Sequence, residues 1–424
     1  MNSRNVLMVT SSFPFGHGES FVDGELRGIS GYFDSIELAP CWHASDIREG
    51  YQTENLNLDY TKKRWGSLRV YHVAYSFLKA LWTYQWFPEL VGIFRRGHKL
   101  ENMKELGRTL YRAKLFEDFL HDQFECKKKE FGLIYFYWMV PEIMGAIAFR
   151  KKYRPDLKIV SRAHGGDLYE DRKDGGYAGL RNEVVAGLDE IYCISAHGKS
   201  YLEGRYPGLA NKFHLARLGV DDPDYLNALP RTDQLSIVSC SFVVEGKRLH
   251  LIVAAIKLLL DMNPELEIKW THIGDGKLFD QLRHCTLSTL TERAEIVFTG
   301  YLTQPELMSL YRSESFDVIV NVSDCEGIPV SLMEASSVGI PMIATNVGGS
   351  GEIVNSENGV LISDHADIPT IAAALMRFKD RNFGQARRIN ARSYWQKEFD
   401  AKTNYRTFGS QLIGLLDGPA RRAI

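Results

Sequence analysis

The sequence lacks several patterns that would assign it to a function class. It has six cysteines in 424 residues, and none stands in a CxxC pair or at a Cys/His spacing typical of a metal site. A disulfide framework and a metal knuckle are therefore not expected, and this cysteine usage is typical of a reducing compartment. GxSxG and HExxH are also absent, which removes two common hydrolase signatures.

A charge imbalance and long apolar runs are missing as well. The formal net charge is −2, so the chain is not a polycation of the kind that binds nucleic acid. The sequence contains no stretch of 18 uncharged apolar residues, and its first residues lack the charged-then-apolar order of a leader. We therefore expect a cytoplasmic protein without a membrane span or a nucleic-acid partner.

Short apolar runs alternate with helical periodicity along most of the chain, which is typical of parallel sheets covered by helices. The sequence predicts an α/β fold with two Rossmann-like domains, at residues 1–218 and 219–395, and a last helical segment at 396–424. Buried strands are predicted at residues 5–10, 35–38, 133–136, 158–161 and 190–194, and again at 236–240, 267–271, 295–299, 317–321 and 341–344.

One segment, at about residues 60–128, interrupts this alternation and looks helical. Between Tyr60 and Leu115 stand twelve Lys or Arg residues against three Glu. Aromatic side chains are interleaved with them, namely Trp65, Trp82, Trp86, Phe87 and Phe94. Two interpretations are open. The segment is either a helical pair with a solvated basic face and a core-facing aromatic stripe, or an amphipathic surface for anionic lipid or a lipid-linked substrate.

The loop after the predicted strand 317–321 carries the most informative pattern. Glu326 and Glu334 stand eight positions apart across the start of a predicted helix. The free amides between Gly327 and Ser331 point outward there, together with the positive end of the helix dipole. We interpret this as a pocket for an anionic leaving group, in which Glu334 holds a ribose and Glu326 faces a sugar. The alternative is a surface helix whose two glutamates merely favour the dipole.

Lys247 and Arg248 favour the pocket. They open the helix predicted over Leu249–Leu260, and two cations in a first turn are unfavourable against the helix dipole. A bound diphosphate would reverse that penalty. Ordinary surface charge is the alternative interpretation.

Two further loops follow predicted strands of the first domain. After the first strand, Gly16 and Gly18 allow a ligand to approach the backbone closely. This loop is not GxGxxG, which argues against a dinucleotide. After the strand 158–161, Arg162, His164 and Asp167 surround two glycines and predict a polar pocket. His164 lines that pocket or is a satisfied structural histidine.

With these residues placed, the chain resembles the GT-B glycosyltransferases of family 4. The E-x7-E element of that family matches at Glu326 and Glu334, its GDG element at residues 274–276, and its phosphate lysine at Lys247. The similarity is strongest from residue 297, through Tyr301, to residue 349. The loops at residues 13–19 and 162–169 are similar to those of members that act in bacterial surface-polysaccharide assembly.

The resemblance implies a GT-B fold, with two Rossmann-like domains facing across a cleft and a last helix that crosses back to the first domain. It also implies a retaining transfer of a hexose from a UDP- or GDP-sugar to a glycan or polyprenyl-linked acceptor, without a metal ion or other cofactor. The implied location is the cytoplasm, with the inner face of the plasma membrane as the candidate docking surface for residues 60–115.

The same resemblance implies roles for individual residues. Glu326, His164 and Lys247 are expected to act in catalysis. The residues expected to bind the donor are Glu334, Arg248, Gly327, Ile328, Pro329, Val330, Ser331, Gly16, Gly18 and Tyr301.

One departure from the family pattern keeps alternatives open. Phe242 stands five residues before Lys247, where the family usually has an arginine, and Arg248 is the candidate substitute. A catalytically silent relative that binds a nucleotide sugar or acts as a scaffold is one alternative. A nucleotide-sugar epimerase of the same fold is another. An NAD-linked dehydrogenase is not supported, because the glycine fingerprint is missing.

Overall fold

The computed structural model describes residues 3–418, apart from residues 17, 20, 44, 45, 49, 52–54, 67, 85, 96, 97, 231, 232, 291 and 292, and describes residue 174 by its backbone alone. Within these limits the chain forms two compact units. The first comprises Met1–Ile194, Gly198–Ala216 and Tyr405–Ile424, and the second comprises Ser195–His197 and Arg217–Asn404. The sequence placed the divisions after residues 218 and 395.

The first unit contains a parallel six-stranded sheet in the order β2-β1-β3-β4-β5-β6. Most residues of its central strands are buried, because helices cover both faces of a parallel sheet. In β1, for example, five of six residues are buried. The strands are β1 (Asn5–Thr10), β2 (Ser35–Pro40), β3 (Leu133–Phe136), β4 (Lys158–Ala163), β5 (Glu190–Cys193) and β6 (Phe213–Leu215).

The second unit contains another parallel six-stranded sheet, in the order β12-β11-β10-β7-β8-β9. The predicted α/β fold with two parallel sheets is therefore confirmed, although each sheet has one strand more than the five predicted. The additional strands, β6 and β12, are edge strands of three and four residues, too short to show a periodicity. The strands are β7 (Leu235–Cys240), β8 (Ile268–Ile273), β9 (Ala294–Gly300), β10 (Val318–Asn321), β11 (Met342–Thr345) and β12 (Gly359–Ile362).

Sixteen helices connect and cover the strands in the described part of the chain. The first nine are α1 (Phe21–Ile29), α2 (Asp59–Trp65), α3 (Arg69–Thr83), α4 (Phe87–Arg95), α5 (Lys99–His121), α6 (Glu142–Tyr153), α7 (Gly165–Leu168), α8 (Arg181–Gly187) and α9 (Ala196–Arg205). The others are α10 (Leu249–Met262), α11 (Phe279–Thr289), α12 (Gln304–Ser313), α13 (Val330–Ser337), α14 (Ile368–Met376), α15 (Arg381–Glu398) and α16 (Ala401–Asp417). None of these helices has the length and apolarity that a membrane crossing needs.

Helices α2–α5 form an insertion between β2 and β3, and a buried ionic network joins it to the first unit. The carboxylate of Glu142, at the start of α6, accepts bonds from Arg112 Nε and Nη2 at 2.9 and 2.7 Å, from Tyr60 Oη at 2.5 Å and from Arg64 Nη1 at 3.3 Å. Burial alone would raise the pKa of Glu142, but the charges of Arg112 and Arg64 hold it below its usual value. Loss of either arginine would leave a buried charge poorly compensated.

The aromatic residues of the insertion do not form a core-facing stripe, so that interpretation of the sequence is wrong. Trp82, Phe87 and Phe94 are 93%, 65% and 55% exposed, and Trp65 is exposed as well. Trp86 alone of the five is partly buried, and its Nε1 donates to the carbonyl of Leu81 at 2.9 Å. Of the basic residues counted in this segment, Arg96 lies outside the described residues.

The last helix returns to the first unit, as predicted. From Tyr405 onward α16 belongs to that unit. The ring of Phe408 lies 5.6 Å from the ring of Tyr135 and 5.0 Å from that of Tyr192, and Arg162 Cζ lies 4.1 Å from its centroid. Arg162 is in turn paired with the buried carboxylate of Glu25 at 2.8 Å. Residues 419–424 of the predicted C-terminal segment lie outside the described residues.

We expect Phe408→Ala to lower the free energy of unfolding by about 3–5 kcal/mol, because it removes a fully buried ring and leaves a cavity beside a buried arginine. Urea denaturation followed by circular dichroism measures the change. Leu287→Ala, at a position that is 62% exposed, is the control; its effect should stay within about 0.5 kcal/mol. Equal effects of the two substitutions would contradict this account of α16.

Candidate functional site

Polar residues at the C-terminal edge of the second sheet converge on Glu326, which is 9% exposed. Its Oε1 accepts three hydrogen bonds, from Lys247 Nζ at 2.6 Å, Ser323 Oγ at 2.8 Å and Asn321 Nδ2 at 3.0 Å. Ligands of parallel sheets bind beyond the carboxyl ends of the strands, and β10 ends at Asn321. Three donors on a single oxygen hold this carboxylate in one position.

A close approach between two loops fixes the segment that follows Glu326. Gly349 N donates to Gly327 O at 2.7 Å. Gly348 has φ +53°, and a Cβ atom on it would lie 1.9 Å from the carbonyl oxygen of Glu326. Because no larger residue fits there, the glycine pair at 348–349 determines where the Glu326 loop lies.

Helix α13 begins directly after this loop. The side chain of Ile328 is buried, Pro329 is the N-cap residue, and Val330 and Ser331 open the helix. The amides of a first helical turn have no acceptor within the helix, and the positive end of the helix dipole lies there. The helix start is therefore suited to an anion, and Glu326 stands immediately before it.

The structure places Lys247 and Arg248 differently from the sequence prediction. They do not form the first turn of the helix, because Lys247 ends a separate 3-10 turn and Arg248, at φ +48°, is the N-cap residue of α10. The guanidinium of Arg248 donates to the carbonyls of Val322, Ser323 and Asp364 at 2.7, 3.0 and 2.8 Å. These bonds anchor the loop after β10. The predicted donor contact of Arg248 stays a prediction.

The Gly-Asp-Gly segment at residues 274–276 supports the loop after β7. Gly274 has φ +136°, and a Cβ on it would lie 1.9 Å from Ser241 O. A Cβ on Gly276 would lie 2.6 Å from Val243 O, and Val243 N donates to Asp275 O at 3.0 Å. The two glycines thus permit backbone-to-backbone packing. Phe242, which stands between Ser241 and Val243 in the sequence, is 62% exposed.

Glu334 lies in the second turn of α13 and is partly buried. Its carboxylate forms no hydrogen bond or ion pair within the described part of the chain, and burial raises its pKa to about 8. No described protein group therefore competes with a ligand's hydroxyl groups for this carboxyl. Tyr301 follows β9 and is 37% exposed. Of the predicted site residues, Lys247 and Glu326 thus form an ion pair. The carboxyl group of Glu334 accepts no hydrogen bond from a described protein group.

In the first unit, His164 lies between the end of β4 and α7 and is 4% exposed. Its ring centroid is 4.2 Å from that of Trp138, 4.9 Å from Tyr137 and 6.1 Å from Phe21. Burial and then the charge of Arg162 lower the pKa of His164 well below its ordinary value. Its Nε2 is buried without a partner among the described residues. The imidazole is neutral and keeps one ring nitrogen for a further hydrogen bond.

The loop after β1 is organised by its own carboxylate. Glu19 accepts bonds from the amides of Ser11, Ser12 and Phe13 at 3.0, 2.7 and 2.7 Å, and also from Trp138 Nε1. Trp138 therefore connects the loop of Gly16 and Gly18 with His164. Arg48 Nε further fixes the loop through Gly16 O at 2.7 Å.

Four residues of these sites were missed from the sequence: Glu19, Trp138, Asn321 and Ser323. Asn321 and Ser323 could have been found, because they stand at and just after the end of a predicted strand. Trp138 follows a predicted strand too, but only the folded chain brings it to Glu19. Among the described residues, no group of three or more His, Cys, Asp or Glu side chains is placed to hold a metal ion.

Comparison with known proteins identifies part of this chain. Residues 234–380 match a family model described as "Glycosyl transferases group 1". The chain carries a group 1 glycosyltransferase domain. This domain contains Lys247, Glu326, Glu334 and the Gly-Asp-Gly segment, whereas His164, Gly16 and Gly18 lie outside it.

Curated relatives are identical to this chain at about a quarter of the aligned positions. A glycogen synthase of Mycobacterium tuberculosis is 27% identical over 283 residues, which cover 63% of this chain and 64% of the relative. The amylovoran biosynthesis glycosyltransferase AmsK of Erwinia amylovora is 26% identical, with coverage of 59% of this chain and 62% of the relative. The chain thus spans slightly less than two thirds of these relatives.

Solved structures show that the fold is GT-B. The apo form of the lipopolysaccharide outer core galactosyltransferase WaaB matches with a TM-score of 0.65 at 15% identity, over 97% of this chain and 99% of WaaB. HepE of Anabaena, in complex with UDP and glucose, matches with a TM-score of 0.62 at 16% identity, over 97% of this chain and 99% of HepE. The GT-B fold expected from the sequence is confirmed.

We expect Gly348→Ala to displace the Glu326 loop of the glycosyltransferase domain, because both the Cβ atom and the positive φ oppose an alanine there. The free energy of unfolding should fall by roughly 1–3 kcal/mol. Chemical denaturation measures it, with Gly204→Ala as the control, since a Cβ at Gly204 meets nothing within 4 Å. A stability of Gly348→Ala equal to that of the control would be incompatible with the close approach.

Proposed function

We propose that this protein is a retaining glycosyltransferase that transfers a hexose from a UDP- or GDP-sugar to a hydroxyl of a glycan or lipid-linked acceptor in bacterial surface-polysaccharide synthesis. The observation that carries this proposal is the ion pair between Lys247 and Glu326 at the start of α13, inside the group 1 glycosyltransferase domain. The names of AmsK, for amylovoran biosynthesis, and of WaaB, for the lipopolysaccharide outer core, support the choice of pathway class.

The proposed leaving group is a nucleoside diphosphate. Lys247 Nζ and the first-turn amides of α13 would bind it, so that a cation and a helix terminus neutralise the phosphates and no metal ion is required. Lys247 Nζ is paired with Glu326 Oε1 at 2.6 Å. The phosphates would share or take over this lysine, which leaves Glu326 able to accept sugar hydroxyls. HepE binds UDP, and this favours UDP over GDP as the first donor to test.

The proposed reaction keeps the anomeric configuration. The bond between the sugar C1 and the phosphate oxygen lengthens, and the sugar gains oxocarbenium character. Lys247 and the helix amides stabilise the negative charge that develops on the diphosphate. A phosphate oxygen then takes the proton of the acceptor hydroxyl, whose oxygen attacks C1 from the face that the phosphate leaves. Glu326 holds sugar hydroxyls and Glu334 holds the ribose.

A role for His164 in binding the donor sugar stays part of the proposal. Its depressed pKa keeps the ring neutral near pH 7, and its unpartnered Nε2 is suited to one hydrogen bond with a hydroxyl. The backbone of Gly16 and Gly18 is proposed to contact the donor as well.

Release of UDP or GDP from a panel of nucleotide sugars tests the proposed function, with water as the acceptor where no glycan is known. We expect Glu326→Gln to lower turnover about 100-fold or more, because the carboxylate acts on the sugar as charge develops. Nucleotide affinity, measured by calorimetry, should change less than about threefold, because the proposal places Glu326 against the sugar and not against the nucleotide. Glu357→Gln, at an exposed position, is the matched control.

Three outcomes would decide against this proposal. Nucleotide binding without turnover on any donor indicates a silent scaffold, a reading supported by Phe242 at the usual arginine position. Interconversion of nucleotide sugars without loss of the nucleotide indicates an epimerase. Full turnover of Glu326→Gln removes Glu326 from the reaction.

Nucleotide binding should also release protons through Glu334. Its pKa is about 8 without ligand, and ribose hydroxyls that donate to the carboxylate favour its ionised form and lower that pKa. Binding at pH 7 should then release up to about one proton, and affinity should rise with pH until about pH 8. Calorimetry in buffers of different ionisation enthalpy counts these protons. Glu334→Gln should abolish their release, and Glu357→Gln should not; proton uptake by the wild type would contradict the ribose contact.

A further inference from the structure

Exposed apolar side chains are concentrated in the α2–α5 insertion. Of the 21 large apolar residues exposed in the described part of the chain, thirteen lie between Trp65 and Met103. Trp82 and Val70 are 93% and 82% exposed, the two highest values. Soluble monomers rarely expose contiguous apolar surface on this scale, and where they do the surface usually meets a partner or a membrane.

Helix α3 carries two apolar faces. Ser76 and Ala80 are buried on its inner face, where Ala80 packs in a cluster with Leu106 and Leu110 of α5. On the outer face, Val70, Tyr71, Tyr75, Leu78 and Trp82 are all exposed. With about 100° per residue, these five side chains fall within roughly 140° of arc, opposite the buried face. The outer face is therefore a continuous apolar surface.

The next helix extends this surface. Phe87, Val91 and Phe94 of α4 are exposed and follow the i, i+4, i+7 spacing of one helix face. We call the exposed apolar residues of α3 and α4 the outer face of the insertion. The hydrogen bonds to Glu142 hold α2 and α5 against α6, and α2 and α5 flank α3 and α4 in the chain. The outer face therefore lies on helices that are fixed to the first unit.

The charges beside the outer face are positive. Arg69 lies over the ring of Trp65 at 4.5 Å, and Lys79 lies 5.7 Å from the ring centroid of Tyr75. Both of these basic residues are exposed. Helix α3 contains no Asp or Glu. The single acid of α4, Glu89, accepts a bond from Tyr177 Oη at 2.7 Å.

We propose that the outer face docks on an anionic lipid bilayer. Tryptophan, tyrosine and phenylalanine prefer the interface between headgroups and acyl chains, and neighbouring lysines and arginines pair with anionic headgroups. The outer face presents both classes of side chain together, and this charge complementarity favours a bilayer over a neutral protein surface. The proposal does not depend on transferase activity, since lipid binding and turnover are measured separately.

Co-sedimentation of the full chain with vesicles tests the proposal, using phosphatidylcholine alone or with phosphatidylglycerol. We expect binding to the anionic vesicles and little to the neutral ones. The double variant Leu78→Glu/Trp82→Glu should bind at least about tenfold more weakly, because two apolar anchors are lost and two negative charges are added. The matched control is Met262→Glu/Leu287→Glu, at positions that are 69% and 62% exposed in the second unit. It should bind like the wild type.

Circular dichroism checks that both double variants are folded, and Arg69→Glu/Lys79→Glu provides a second, charge-only variant whose binding should also fall. Equal vesicle binding by the wild type and the Leu78→Glu/Trp82→Glu variant would overturn the proposal. So would a wild-type dimer, seen by sedimentation velocity, that dissociates in this variant while neither protein binds vesicles. That result would assign the outer face to a second copy of the chain.

Discussion

The ion pair between Lys247 and Glu326 is the interaction on which the candidate site depends. Both side chains are partly buried, with 22% and 10% of their surface exposed, so neither charge is fully compensated by water. The pair holds the turn before α10 against the loop before α13. Its geometry in turn requires residues without a side chain at 348 and 349 and an arginine, Arg248, that ties down the carbonyls after β10. The charges are therefore positioned mainly by backbone packing.

The sequence predicted the parts of this protein that depend on local patterns. Ten strands follow from runs of buried apolar residues, and Glu326, Glu334 and Lys247 follow from their positions after strands. The role of Arg248 could not be predicted, because its left-handed backbone and its three carbonyl acceptors exist only after β7, β10 and the loop before α14 have come together. The raised pKa of Glu334 likewise comes from burial, and Cys240 and Tyr311, which interact electrostatically with it, are distant in the chain.

The insertion shows the limit of composition as evidence. Counting charges and aromatic residues between Tyr60 and Leu115 left a core-facing stripe and an exposed amphipathic surface equally open. The outcome depends on which face of α3 packs on α5: Ser76 and Ala80 are buried there, and Ala80 lies in a cluster with Leu106 and Leu110. A helix with two apolar faces gives no sign in its own sequence of which one is covered.

The return of α16 also has a consequence for how the chain is made. Arg162, Tyr135 and Tyr192 lie against Phe408, so the first unit lacks this packing element until α16 has left the ribosome. The second unit consists almost entirely of the continuous stretch Arg217–Asn404. Its synthesis is therefore complete before that of α16. Domains generally fold as they emerge, with the N-terminal one first. In this protein the order of completion is reversed, because the first unit is translated first but must wait for α16.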